Sequence, residues 1–460
     1  MPQATAQEKS QSQATSSVKE KVFYGLGDVG SNFIWSFASS FLVLYYTDSA
    51  GLTAAYVGTM MLIARILDGA SDIGMGVVIE KTKTRWGKAR PWVLFGSIPF
   101  AISLMLVFNV PSALSESGKN AYAFITYVFM AVFCYTAVNL SYHAMLPRFS
   151  MTQHDRAVVS TVRTLMVIAV MLILSNVTPA WLEALGGQRS QGAWTVVSAV
   201  YGILAFICLL ATFFGVKEKI PATPSSKQAD APSLYQALLI LLKTKYFYLA
   251  IILTLFVYLM NGIGGVGIYY ARDVLGNANY YGILMLVSMV PMFIAMPFVP
   301  LMYKKFGKTR SITVGMIVSA VGAAVQLFNP YSLPLAMVSG VIKTAGMVPL
   351  STALFTFAGD IVEYSEWKHG IRTEGFVTGT NSFGMKLGTG LGSALVGWLL
   401  AFGKYDASLE IQAQSTLNAE ILIQIGIPII SAILCVIVLL FWDIDKHRPE
   451  IEKFLAKKAS

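Results

Sequence analysis

Apolar residues along this chain gather in long runs, broken by short polar stretches that carry charge, Pro or Gly. A helix needs roughly 20 apolar residues to cross the hydrocarbon core of a bilayer. Twelve runs approach or exceed that length, at 23–47, 54–80, 92–112, 120–146, 157–183, 192–216, 246–271, 279–302, 311–328, 332–360, 374–402 and 418–442. The alternation of a half-buried strand is sustained nowhere. Inside lipid only helices and closed barrels satisfy the backbone, so the pattern predicts an all-α integral membrane protein with 12 transmembrane helices. Two or three water-soluble domains would fit 460 residues, but 55% hydrophobic against 13% charged leaves too few polar side chains to cover them.

Charge gives the helices a direction. With both termini placed in the cytoplasm, the loops on that side (81–91, 147–156, 217–245, 303–310 and 361–373) hold 18 Lys and Arg against four on the other. The positive-inside rule selects this orientation. Residues 1–19 lack the apolar core of a cleavable signal and read as a disordered cytoplasmic tail. The polar stretch 217–240 is the one long linker; it divides a bundle at 20–216 from a second at 241–445, which is followed by a tail at 446–460. A repeat supports the division. Arg85-Trp86-Gly87-Lys88-Ala89-Arg90 follows the second helix and Lys305-Phe306-Gly307-Lys308-Thr309-Arg310 follows the eighth, 220 residues on at each matching position. Equivalent basic turns in two six-helix bundles indicate the parallel-repeat layout of the major facilitator fold.

Several motifs point elsewhere on spelling alone. Gly25-Leu26-Gly27-Asp28-Val29-Gly30 and Gly262-Ile263-Gly264-Gly265-Val266-Gly267 match the dinucleotide fingerprint, yet neither follows a strand. Small residues at this spacing let membrane helices approach closely or bend, and Gly388, Gly390 and Gly392 read the same way. The basic clusters suit anionic lipid rather than nucleic acid. Cys134, Cys208 and Cys435 fall within spanning runs as small apolar side chains, so no disulfide or metal site is expected beyond a possible sodium ion. No Ser-His-Asp, HExxH or Walker pattern stands in usable context, which argues against an enzyme.

The informative residues are charges inside the apolar runs, where an ionisable group is costly unless paired or hydrated. Asp28, Arg65, Asp68, Asp72, Arg163, Lys343 and Lys386 qualify. Arg65, Asp68 and Asp72 share one helix face, and two carboxylates against one guanidinium leave a negative charge that can take a proton or, with the Ser71 hydroxyl, a sodium-sized cation. In the fourth run Tyr135, Asn139, Tyr142 and His143 form a polar aromatic face suited to hydroxylated rings. Asn381 and Ser382 lie one turn before Lys386. Asp28, just inside the first helix, is assigned a structural or gating role with binding as an equal alternative, and Lys343 has no partner identifiable from sequence.

Tyr24-Gly25-Leu26-Gly27-Asp28, the stretch from Ala64-Arg65-Ile66-Leu67-Asp68 through Arg85-Trp86-Gly87-Lys88-Ala89-Arg90-Pro91-Trp92, and Asp360-Ile361-Val362-Glu363-Tyr364-Ser365-Glu366 together resemble the glycoside–pentoside–hexuronide:cation symporters, which include melibiose and glucuronide carriers. The likeness covers residues 18–445. It implies sugar uptake driven by co-transported H⁺, Na⁺ or Li⁺ through alternating access. By position it implies a cation site at Asp68, Ser71, Asp72 and Thr136 with Lys386 near it, and a sugar site at Asn32, Asn139, His143, Arg163, Asn381 and Ser382, to which the aromatic face adds Tyr135. Arg65, Arg85, Lys88, Arg90, Lys308, Arg310, Asp360 and Glu363 become structural or gating charges. Melibiose carriers have acids where this chain has Asn32 and Asn139, tryptophan at His143 and asparagine at Ser71. The lost acids disfavour melibiose, the excess of Arg163, Lys343 and Lys386 tolerates an acidic sugar, and Ser71 favours protons over sodium.

The expectation is therefore a monomeric, multi-pass carrier of the cell inner membrane with both termini cytoplasmic. It needs a sugar or glycoside, a coupling cation and the lipid bilayer, and no cofactor or nucleic acid. An uncoupled facilitator or exchanger and a transporter-like sensor are the competing readings.

Overall fold

The computed structural model describes residues 16–150, 153–218, 244–370 and 374–459. Their regular structure is helical apart from one isolated bridge between Thr84 and Gly87. The chain forms two compact units, Met1–Ser226 and Lys227–Ser460. In the first, α1 is Val18–Leu44, α2 Ala54–Lys81, α3 Arg90–Val107, α4 Glu116–Phe149, α5 Gln153–Ala184 and α6 Gln191–Gly215. In the second, α7 is Lys245–Val274, α8 Tyr280–Phe306, α9 Lys308–Phe328, α10 Leu333–His369, α11 Glu374–Phe402, α12 Gln414–Lys446 and α13 Arg448–Ala459.

Each of the twelve apolar runs is a helix. Among the described residues, ten are long and apolar enough to cross a membrane. The other two, α1 and α2, are the helices that carry Asp28 and Asn32, and Arg65, Asp68 and Asp72. Their polar content, rather than their length, keeps them out of the group.

Three boundaries differ from expectation. The tail expected over 1–19 ends early, because Ser17 opens α1 with a capping box: its hydroxyl accepts from the Glu20 N–H and the Glu20 carboxylate accepts from the Ser17 N–H. The loop expected over 361–373 is helical to His369, where Gly370 ends α10 at φ +68°. This puts Asp360 and Glu363 on one helix face (i, i+3). The expected tail 446–460 contains α13. Most of the linker, residues 219–240, lies outside the described residues, as do residues 241–243 of the second bundle.

In the first unit α1 packs on α5 and α6 while α3 packs on α4 and α6; in the second α7 packs on α11 and α9 on α10 and α12. Glycines set the closest approaches. A Cβ on Gly30 would lie 2.8 Å from the Ala205 carbonyl, and one on Gly392 would lie 2.3 Å from the Leu259 carbonyl. The nucleotide-like spellings are thus helix contacts, and at Ile263–Gly265 the second also tightens α7 into a 3₁₀ turn.

At one end of each unit the repeated basic segment carries a glycine of positive φ, Gly87 at +109° and Gly307 at +85°, but residues 82–89 form an open turn before α3 whereas Gly307 alone separates α8 from α9. In the first unit the Glu218 carboxylate accepts from the N–H groups of Lys88 (3.1 Å), Ala89 (2.9 Å) and Arg90 (3.0 Å), neutralising the open end of α3. Beside it Glu80 pairs with Lys88 and Arg148, Arg90 donates to the Phe213 carbonyl, and Arg85 lies over the Trp86 ring. In the second unit Asp360 pairs with Lys308 and Arg448, and Arg448 reaches Glu363 at 3.3 Å. Arg310 is exposed.

A further anchor was not expected. Asp155, 1% exposed at the start of α5, accepts from the Ser16 N–H (3.0 Å) and hydroxyl (2.6 Å) and from Ser150 (2.7 Å), and pairs with Lys21 (2.9 Å). Burial alone would raise its pKa, but the bonds from Ser150, Ser16 and Lys21 outweigh it and hold the carboxyl below its ordinary value. Its contribution to stability is therefore complete above the unfolded aspartate pKa of about 4 and is lost as pH falls toward the depressed folded value. Asp155→Asn is expected to cost about 1–2 kcal/mol at pH 7. Thermal unfolding in detergent should show a gap from wild type that is constant down to about pH 4 and closes below.

Candidate functional site

The first cluster is built along one face of α1, where Asp28, Asn32 and Ser36 recur every four residues. The Ser36 hydroxyl donates to Asn32 Oδ1 (2.8 Å), and Asn32 Nδ2 donates to Asp28 Oδ1 (3.2 Å) and to the Asp28 carbonyl (2.9 Å). The other Asp28 oxygen meets Arg163 Nε of α5 at 3.3 Å, and Arg163 Nη1 meets His143 Nδ1 of α4 at 3.2 Å. Below lies a rigid floor: Tyr24 and Tyr142 stack at 4.4 Å and each donates its hydroxyl to the other's carbonyl. Asp28, assigned above to structure or gating, is thus the counter-ion of Arg163. With that partner Arg163 no longer counts toward the positive excess. Sequence could not supply it, because the pair joins helices four apart in chain order.

The second cluster stands on α2. Arg65 Nη1 lies 3.4 Å from Asp68 Oδ2, with both side chains almost fully buried. The Thr136 hydroxyl of α4 donates to Asp68 Oδ1 at 2.8 Å and lies 3.2 Å from Ser71 Oγ, which also reaches the Asp68 carbonyl. Asp72 follows one turn on, half-buried. The shared face of Arg65, Asp68 and Asp72 expected from their spacing is present. Asp68 is the buried, coordinated acid, while Asp72 is the more accessible one.

Trp35 connects the clusters and was missed by sequence reasoning. Its ring lies 4.4 Å from that of Tyr135, and the Arg65 guanidinium sits 3.9 Å over it. The signal was available: Trp35 stands three residues after Asn32 and seven after Asp28, on the same face of α1. Asn139 is half-buried on the α4 face near Tyr135 and makes no hydrogen bond among the described residues. An amide there is available to a ligand hydroxyl.

In the second unit Asn381 accepts from Thr254 at 2.8 Å and lines a pocket with Phe247, Ile251, Leu354, Ile361 and Val377. Ser382 is exposed and Lys386 half-buried. The structure thus gathers Asp28, Asn32, His143 and Arg163 into one cluster and Arg65, Asp68, Ser71 and Thr136 into another, with Tyr135 against the tryptophan between them. The residues of α11 belong to the other unit.

A family model described as MFS/sugar transport protein matches residues 23–446. The isoprimeverose transporter of Lactiplantibacillus pentosus is 31% identical over 445 residues, covering 95% of this chain and 91% of that protein. The inner membrane symporter YicJ of Escherichia coli (strain K12) is 32% identical over 427 residues, 92% and 91% of the two chains. Among solved structures, the nucleoside transporter NupG matches with a TM-score of 0.62 at 15% identity over 93% of this chain and 99% of that one. At that identity the likeness speaks for the fold alone.

Removing either member of the half-buried Asp28–Arg163 pair strands the other charge. Asp28→Ala and Arg163→Ala are each expected to cost about 2 kcal/mol, below the range for fully buried pairs because both groups keep some water. The double variant should lose clearly less than the sum. Thermal unfolding of the four purified proteins checks this, and strict additivity would contradict the pairing.

Proposed function

We propose, for a chain that belongs to the MFS/sugar transport protein family and within it to the glycoside–pentoside–hexuronide:cation symporters, that it imports a sugar or glycoside by cation-coupled symport with alternating access. Asp68, Asp72, Ser71 and Thr136 hold the coupling cation. Asn32, Tyr135, Asn139, His143 and Arg163 line the sugar site, to which the geometry adds Trp35 as a stacking ring and Asp28 as a positioning group for Arg163. Asn381 and Ser382 are assigned to the sugar and Lys386 to the cation by the same motif correspondence. The protein works as a monomer in the cell inner membrane with both termini cytoplasmic, and needs no cofactor.

One observation carries the coupling: Arg65 is shared. It pairs with Asp68 of the acid cluster and covers Trp35 of the sugar face. A proton or cation arriving at the two acids weakens the hold of Asp68 on Arg65, which strengthens the contact the guanidinium already makes with the tryptophan and orders the ring against which a sugar stacks. Each ligand then binds better when the other is present, which is the thermodynamic content of coupling. The serine at position 71 offers one oxygen where an asparagine would offer a stronger cation ligand, and this favours protons.

Proteoliposomes loaded against a labelled sugar test the reading. Wild type is expected to accumulate it at least tenfold, about 1.4 kcal/mol of coupled work, and a protonophore should abolish the gradient. Asp72→Asn should equilibrate the sugar without concentrating it. Undiminished accumulation by that variant removes Asp72 from the coupling site, and accumulation indifferent to every ion gradient makes the chain a facilitator or exchanger. Trp35→Ala should raise KM about tenfold, and normal uptake by His143→Ala would exclude His143 from the sugar site.

A further inference from the structure

The helix α4 is not regular throughout. Between Phe129 and Cys134 it widens into a single π-turn, in which the Tyr135 N–H donates to the Met130 carbonyl, five residues back instead of four. Such turns are rare, take up one extra residue, and are frequent at functional sites. This one lies immediately before Tyr135, Thr136, Asn139 and His143, the residues that α4 gives to the two clusters of the first unit.

Its effect follows from the residues on either side. Before the turn, Tyr127 is 1% exposed and its hydroxyl faces the Arg65 guanidinium. After it, the Thr136 hydroxyl donates to Asp68 at 2.8 Å, and the Tyr135 ring meets Trp35, over which Arg65 lies. Arg65 and Asp68 share one face of α2, and α2 packs against α4 before, along and after the π-turn. Tyr127 and Thr136 must therefore point to the same side of α4. They are nine residues apart, and a regular helix, at about 100° per residue, would place them about 180° out of phase, on opposite sides. The extra residue of the π-turn takes back about 100° and leaves about 80°, near enough for both side chains to reach α2. On the other side of α4 the exposed Ile125, Phe129 and Phe133 likewise stay in one row across the turn. The side chains of the turn itself, Phe129-Met130-Ala131-Val132-Phe133-Cys134, are apolar. What the turn contributes is backbone register, not contact with a ligand.

We infer that this π-turn is the positioning element for cation–sugar coupling: it lets one helix hold Arg65 through Tyr127 and Asp68 through Thr136 at once. The inference rests on the coupling through Arg65 proposed above and names what keeps the pair in register. Tyr127 becomes a further anchor of the shared guanidinium, its phenol oxygen accepting where Arg65 can only donate. A regular α4 could serve one of the two contacts but not both. Either Asp68 would lose its hydroxyl donor or Arg65 its phenol, and the acid cluster would no longer act on Trp35 through a fixed guanidinium.

Tryptophan fluorescence of the purified full-length protein tests this without a sugar. The emission due to Trp35 is obtained in each background by subtracting the corresponding Trp35→Phe variant, and is followed as pH is lowered and, at neutral pH, as sodium or lithium is added. Wild type is expected to show a Trp35 response to at least one of these ions. Deletion of Val132 closes the π-turn to a regular helix and should abolish the response. Val132→Ala, which keeps the residue count, should retain it, and an alanine inserted after Phe133 in the deletion variant should restore it. Thermal unfolding checks each protein. If the deletion variant does not fold, Tyr127→Phe decides, since it removes one hydroxyl, leaves the helix intact and should lose most of the response. A full response in the folded deletion variant or in Tyr127→Phe, or a folded deletion variant that the insertion does not rescue, overturns the inference while leaving coupling through Arg65 intact. A wild type whose Trp35 emission ignores all three ions overturns the coupling reading itself.

Discussion

The structure depends on one constraint: hydrocarbon offers a charge neither water nor a counter-ion, so every ionised side chain placed there must find compensation from the protein or its cargo. Asp68 shows how fully this can be met. A guanidinium lies against one oxygen and the Thr136 hydroxyl donates to the other. Satisfying that carboxylate fixes α2 against α4. It also fixes Arg65, whose free face then covers Trp35 and sets one wall of the candidate sugar site. The acid cluster and the aromatic face are two sides of one electrostatic arrangement.

The same constraint, met differently, organises the basic end of each unit. There the open N–H groups of α3 are the charge to be answered, and Glu218 answers them from the end of α6. The left-handed glycine at position 87 makes this possible, since a Cβ there would sit 2.5 Å from the Glu218 carboxyl carbon. Gly307 also has a positive φ in the second unit, but the acid comes from α10 and meets side chains, Lys308 and Arg448, rather than a helix end. The repeated segment keeps a glycine of positive φ, while the backbone around it and the partner that neutralises it both differ.

How much of this was legible in the sequence follows from the range over which each feature is determined. The twelve helices, the shared face of Arg65, Asp68 and Asp72, and the repeated turn rest on local spacing, and all are found. Features set by packing between distant helices were not legible. Asp28 reads as a gating charge until α5 brings Arg163 to it. Trp35 reads as another apolar residue of α1 until Tyr135 and Arg65 enclose it. Asp155 looks like an ordinary loop acid until Ser16, Lys21 and Ser150 converge on it. In each case the residue type carried the clue and the partner did not. The position of α10 was misjudged for a local reason: its charged last turns look like loop, although nothing in them breaks a helix before Gly370.

The two helices too polar to rank with the other ten are also the first to be synthesised. When α2 leaves the ribosome, the hydroxyl that will bind Asp68 is still 68 residues away, and the guanidinium for Asp28 is further still. A lone aspartate at the centre of a spanning helix carries an insertion cost of about 2.5–3.5 kcal/mol. Asp28 of α1 has no counter-ion until α5 is made, and Asp68 of α2 has only the Arg65 of its own helix until α4 supplies Thr136, so both settle in lipid less readily than the apolar helices. Both must wait at a hydrated or protein-lined site until α4 and α5 arrive. The charges of the first unit are thus fully answered only once α5 has joined α1, α2 and α4.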